Sequence, residues 1–157
     1  MRKFAALILT VFTLTACGPS VTDIHNIAVT SLQATYDAQG ELLDVAFANG
    51  PEVAPDIDAI KYAAIYFETQ ADLEYVWFTE TEFPEKLQVY QKEYNEYYLS
   101  TVDDYVALVT IFVEDLESAE DATTTLFEYV GDMTEAEGLF VDAFNRLGDT
   151  MNINATE

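Results

Sequence analysis

From Ile57 to Leu147 apolar side chains recur every three or four residues, a period that leaves little room for anything but packed helices. Ile57, Ile60, Ala64, Phe67, Ala71, Tyr75 and Phe78 share one face of a helix opening at Asp56, and a second stripe (Ala63, Tyr66, Leu73, Trp77) widens it. A helix apolar over so many turns predicts a central element packed on two sides. Pro84 suits the first turn of the next helix, which carries Leu87, Tyr90, Tyr94, Tyr97 and Tyr98 on one face and reaches Leu99. Ser100 or Thr101 then reads as the cap of a helix whose core side is Val102, Tyr105, Val106, Val109, Phe112, Val113 and Leu116. Ser118 with Asp121 resembles a capping box before Ala122, Leu126, Tyr129 and Val130. Thr134 with Glu137 matches the box itself, before Ala136, Phe140, Ala143, Phe144 and Leu147, with a stop at Gly148. Short connections between these helices predict a mainly α fold, an antiparallel helical array or bundle.

The segment before Pro51 can be read two ways. Asp23 is a suitable N-cap for a helix carrying Ile24, Ile27, Ala28 and Leu32. Yet Thr30, Leu32, Ala34 and Tyr36 alternate, as do Leu43, Val45 and Phe47, and Asp37 to Glu41 between them reads as a hairpin loop with Gly40 in the left-handed position. Gly40 inside a helix would cost about 1 kcal/mol, which tilts the balance toward a β-hairpin over residues 28–48. The other reading is a further helix pair. A single acidic domain over residues 23–149 and a flexible tail over 150–157 complete the expected organisation.

Charge restricts function more than it restricts fold. The chain carries 29 acids against six Lys and Arg, a formal net charge of −23. No basic patch exists to neutralise phosphates, which excludes nucleic acid as a partner. A chain this acidic risks disorder, but half of its residues are hydrophobic, enough for a core under an acidic surface. Such a surface repels itself, and salt screens the repulsion, so a marine or moderately halophilic source is expected.

The first residues have a different character. Arg2 and Lys3 precede an apolar run, Phe4 to Leu14, too short for a transmembrane helix of roughly 20 apolar residues, and the run ends in Leu14-Thr15-Ala16-Cys17. This stretch resembles the signal peptide of bacterial lipoproteins, whose lipobox sets a small residue before an invariant Cys. The resemblance implies removal of residues 1–16 by cleavage between Ala16 and Cys17. It further implies a diacylglyceryl group on the Cys17 thiol, with the new amino group open to acylation such as palmitate. Residues 17–22 would then be the lipidated Cys and a tether. Gly18 in place of Asp implies the periplasmic face of the outer membrane if the cell is Gram-negative. Loss of residues 1–16 removes Arg2 and Lys3, leaving Lys61, Lys86, Lys92 and Arg146 against the 29 acids and a formal charge of −25. It also leaves no free cysteine for a disulfide.

No constellation of reactive side chains emerges. His25 is the only histidine, and di-metal bundles need two Glu-x-x-His pairs. Acids cluster at Glu114, Asp115, Glu117, Glu120 and Asp121, and at Asp132, Glu135 and Glu137, without the alternating ligands of a calcium loop. A solvated acidic surface or weak divalent-cation binding would account for them. With this many acids, some pair will always lie at glycosidase spacing, so that geometry carries no weight. No catalytic residue, metal ligand or cofactor is therefore assigned. Tyrosines stand out: Tyr90, Tyr94, Tyr97 and Tyr98 on one helix form a candidate surface for a partner, against the alternative that they line a wet-edged core. The expected function is a non-enzymatic binding or assembly module, anchored by lipid in the cell envelope and presenting a helical, Tyr-rich surface to another envelope protein. The competing expectations are a carboxylate-dependent cell-wall glycan hydrolase and a cation-binding envelope protein.

Overall fold

The computed structural model describes residues 19–47, 50 and 53–152. Cys17, Ala16 and the signal sequence lie outside them, as do residues 153–157 of the expected tail. The described chain is helical: α1 (Val21–Phe47), α2 (Ile57–Glu80), a 3-10 turn (Glu85–Leu87), α3 (Gln88–Glu93), a π-helical turn (Tyr94–Tyr98), α4 (Leu99–Ser118), α5 (Ala122–Glu128) and α6 (Val130–Met151). Segment α3, the π turn and α4 follow one another without a break. Side-chain pairs fix the directions. Gln39 meets Tyr105 and His25 meets Tyr90, so α1 runs parallel to the α3–α4 rod. Phe78 meets Tyr94 and Lys61 meets Glu117, so α2 runs against it. Arg146 meets Glu93 and Phe112 meets Tyr129, so α6 does too. Helix α1 packs along α2, α2 on α4, α4 on α6 and α6 on α1, closing an up-down-up-down four-membered bundle.

The core is aromatic. Phe67 of α2, Tyr105 of α4 and Phe140 of α6 meet at its centre with ring separations of 5.4–6.3 Å. Tyr36 stacks on the α6 side against Phe140 and Phe144.

The expected N-terminal hairpin is absent. Residues 28–47 belong to one 27-residue helix that runs straight through Gly40. Its buried stripe is Ile24, Ala28, Leu32, Thr35, Gln39, Leu42 and Ala46, a helical period with two polar members. Those two hide the period: Gln39 is buried because its Nε2 donates to the Tyr105 hydroxyl at 3.0 Å, and Thr35 because it abuts the buried carboxyl described below. The start also differs. Ser20, not Asp23, caps the helix; the Asp23 carboxylate accepts from the Ser20 backbone N–H at 2.9 Å, while the Asp23 N–H donates to Ser20 Oγ. Only Pro19 and Ser20 of the described residues therefore remain as tether.

Four other expected boundaries move. Ser100 and Thr101 cap nothing, because the rod is continuous there and Thr101 Oγ1 donates back to the Tyr97 carbonyl. Asp121, rather than Ser118, caps α5 through bonds from the N–H groups of Thr123 and Thr124. Thr134 lies inside α6, its hydroxyl donating to the Val130 carbonyl, and α6 passes Gly148 to end at Met151 with Asn152 as a left-handed cap. Met151 is fully buried, so this part of the expected tail is packed helix.

Candidate functional site

Helices α1 and α2 form the longest seam in the bundle, and its two sides differ in chemistry. On the inner side, Glu74 replaces Tyr75 at the expected core position and is completely buried, whereas Tyr75 points to solvent. The Tyr98 hydroxyl donates to Glu74 Oε2 at 3.5 Å. Oε1 of Glu74 and the hydroxyl of Tyr94 are buried without a hydrogen-bond partner. Burial pushes the Glu74 carboxyl up to about 8, and the neighbouring hydroxyls of Thr35, Tyr94 and Tyr98 only partly offset it. At neutral pH the group is therefore a neutral acid, able to donate its own proton among hydroxyls. Burial and the adjacent Glu74 likewise hold the Tyr94 and Tyr98 hydroxyls protonated. The Phe78 ring stacks on Tyr94 at 4.1 Å and 4°. The π turn places both tyrosines here, and wide turns of this kind are common at functional sites.

On the outer side lies a groove of about 1210 Å³. Ile24, Ile27 and Ala34 of α1 form one wall and Leu73, Val76 and Trp77 of α2 the other. Phe83 and Pro84 close one end, where Trp77 sits edge-on to Phe78 at 5.0 Å and to Phe83 at 5.3 Å. At that end three carboxylates, Glu80, Glu82 and Glu85, join the wall, and the far end, at Ala34 and Gln70, is uncharged. Pro19, the first described residue, also borders the groove. Ligand clefts are of this size or somewhat smaller, and of this largely apolar character.

The tyrosine surface expected on one helix does not exist as a surface. Tyr94 and Tyr98 are fully buried and Tyr90 nearly so, because their spacing of four follows the widened turn into the core. Only Tyr97 is half exposed, and the Arg146 guanidinium lies 3.2 Å over its ring. The other exposed tyrosines belong to α2: Tyr62, Tyr66 and Tyr75.

The other candidates are scattered. His25 Nδ1 pairs with the Tyr90 hydroxyl at 3.0 Å, an internal tie between α1 and α3. Asp115 accepts from the Tyr129 hydroxyl, Glu117 pairs with Lys61, and Asp121 caps α5. Among the described residues no three His, Cys, Asp or Glu side chains come together as a metal site, and no helix is long and apolar enough to cross a membrane.

The groove and the buried acid were both missed by sequence reasoning. Glu74 had a usable signal, an acid three residues after Ala71 and four before Phe78 on an otherwise apolar stripe. Leu73 and Trp77 belong by spacing to a second apolar stripe, and only the packing leaves them lining a groove. No family model matches the chain, and neither a curated protein nor a solved structure resembles it at a significant level.

Proposed function

We propose that this chain is a lipid-anchored, non-enzymatic binding or assembly module of the cell envelope, which receives part of another envelope protein in the groove between α1 and α2. A diacylglyceryl group on Cys17 would hold it to the membrane, on the periplasmic face of the outer membrane in a Gram-negative cell. One observation carries the reading: an open, largely apolar groove on a strongly acidic chain, bordered by Pro19 at the start of the described residues. Solvent-facing apolar patches of this kind mark interaction sites on soluble domains. The reading keeps the expected binding role but moves it from the α3 tyrosines, which are core, to the α1/α2 seam. A glycan hydrolase gains nothing from this geometry, since the carboxyl pushed furthest from its ordinary value, Glu74, is sealed from any substrate.

Two experiments test the reading. Cys17→Ser should accumulate as an unprocessed precursor without lipid label; normal processing of that variant would defeat the anchor. A photo-crosslinking residue at Val76 should join the anchored protein to one envelope protein in living cells, and the same residue at Ile111, exposed on α4, should not. Equal labelling from both positions would defeat the groove.

A further inference from the structure

The occupant of the groove is legible in its charge. Resting on the binding role proposed above, we infer that the groove takes an amphipathic helix with a basic first turn, whose apolar face lies along Leu73, Val76 and Trp77 and whose Lys or Arg side chains meet Glu80, Glu82 and Glu85.

The length comes from α2. Tyr62, Tyr66, Leu73, Val76 and Trp77 follow one another at helical spacing on the outward face. Tyr62 is 74 % exposed, and Tyr66 and Val76 are each close to half exposed. Beyond the polar turn at Thr69 and Gln70 the apolar line resumes, at Tyr66 and Tyr62, toward the start of α2. From Tyr62 to Glu80 is about 27 Å of helix, which matches an 18-residue partner of like rise. Helices bound in grooves are recognised in this way, through apolar anchors on consecutive turns.

The orientation comes from electrostatics. Among the residues lining the groove, all the carboxylates stand at one end. Glu80, Glu82 and Glu85 surround the C-terminus of α2, the negative end of its dipole, and no basic residue stands in its last turn. An occupant with an uncharged or acidic end would leave three carboxylates beside an apolar wall without compensation. The basic end of a helix, which is also the positive end of its own dipole when it is the N-terminus, compensates both. A net-anionic phospholipid headgroup would bring uncompensated phosphate to the same carboxylates and is disfavoured there.

Trp77, the only tryptophan in the chain, reports on the groove directly. The lipidated protein is placed in phosphatidylcholine vesicles and titrated with two 18-residue synthetic helices lacking aromatic residues. They share one leucine face and differ in three residues of the first turn, Lys in one and Glu in the other. The Lys helix should shift Trp77 emission and bind about tenfold or more tighter than the Glu helix, as expected for three rim-exposed ion pairs. Salt at 0.5 M, or the E80Q/E82Q/E85Q variant, should erase the difference. Val76→Asp, at a position that can take a carboxylate without unfolding the bundle, should abolish the response with an unchanged helical spectrum. Equal affinity for both helices, saturation of Trp77 by vesicle lipid alone, or no response to either helix overturns the inference. Flotation of the vesicles reads the anchor separately. A protein that stays in solution refutes the lipid anchor, and the peptide titration is still read.

Discussion

The two sides of the α1/α2 seam reverse the usual distribution of polarity. Inside, where apolar groups are expected, sit Thr35, Gln39 and Glu74; outside, where polar groups are expected, sit Ile27, Leu73, Val76 and Trp77. The inner side is closed by aromatic rings and uses its polar groups to lock neighbouring helices. Gln39 ties α1 to α4, and Glu74 joins α2 to the π turn. The outer side has no such ties and is open. A seam organised this way puts specificity of fold on its inner side and leaves its outer side free for a ligand. Substitutions on the two sides should therefore behave differently, and that difference is where the reading can be broken.

The largest contrast is between two neighbouring residues of α2. Phe78→Ala removes a fully buried ring stacked on Tyr94 and should cost about 3–5 kcal/mol in urea unfolding. Val76→Ala, two residues away on the half-exposed side, should cost less than about 0.5 kcal/mol. Similar losses at both positions would mean that the outer side is core and the groove is closed in solution.

Glu74 gives the next effect, through pH. Unfolded, its carboxyl releases its proton near 4.5; folded, it holds the proton up to about 8. Between those values the folded chain binds one proton more than the unfolded chain, so rising pH favours unfolding, by up to about 1.4 kcal/mol per unit. Below pH 4.5 both states hold the proton and the penalty vanishes. Above about 8 it is at its full size. Glu74→Gln keeps the shape and a donor but cannot ionise. Its advantage over the natural chain should grow steadily from pH 5 to pH 8 and then level off. Parallel stability curves for the two proteins would show that Glu74 reaches water.

How much of this could be read from residues alone depends on how apolar each stripe is. Helix α2 was legible because six of its seven buried residues are apolar and only Glu74 departs from the pattern. Helix α1 was not, because Thr35 and Gln39 occupy core positions and find partners far away in sequence, on α2 and α4. No local window contains those partners. The π turn left a trace: Tyr90, Tyr94, Tyr98 and Val102 are spaced uniformly by four, and each such step drifts by about 40° on a helix of 3.6 residues per turn. A wider turn is the way to keep all four buried. The groove left no trace, since an apolar residue over a seam and one over a core read alike.

Salt separates surface from interior. The acids facing water repel one another across the bundle, with Lys61 and Arg146 each already paired, to Glu117 and Glu93. Raising NaCl to 0.5 M shortens the screening length well below its roughly 10 Å at 0.1 M. The gain should be about 1 kcal/mol, a rise in Tm of roughly 2–4 °C, and the Glu74 slope with pH should survive. Loss of that slope in salt would place the carboxyl among the surface charges.

The smallest effect concerns Gly40, on which the strand and helix readings of α1 divide. As the loop residue of a hairpin it would have positive φ, and alanine there would be strained. In the helix no glycine has positive φ, and a methyl group built on Gly40 meets nothing within 4 Å. Gly40→Ala then removes backbone freedom from the unfolded chain and leaves every native contact in place. It should stabilise the protein by about 0.5–1 kcal/mol in urea unfolding, with an unchanged slope against denaturant. Destabilisation of that size would return the turn to residues 37–41. It would also withdraw Thr35 and Gln39 from the seam, because a chain reversing at Gly40 cannot carry both Leu32 and Leu42 along one buried stripe.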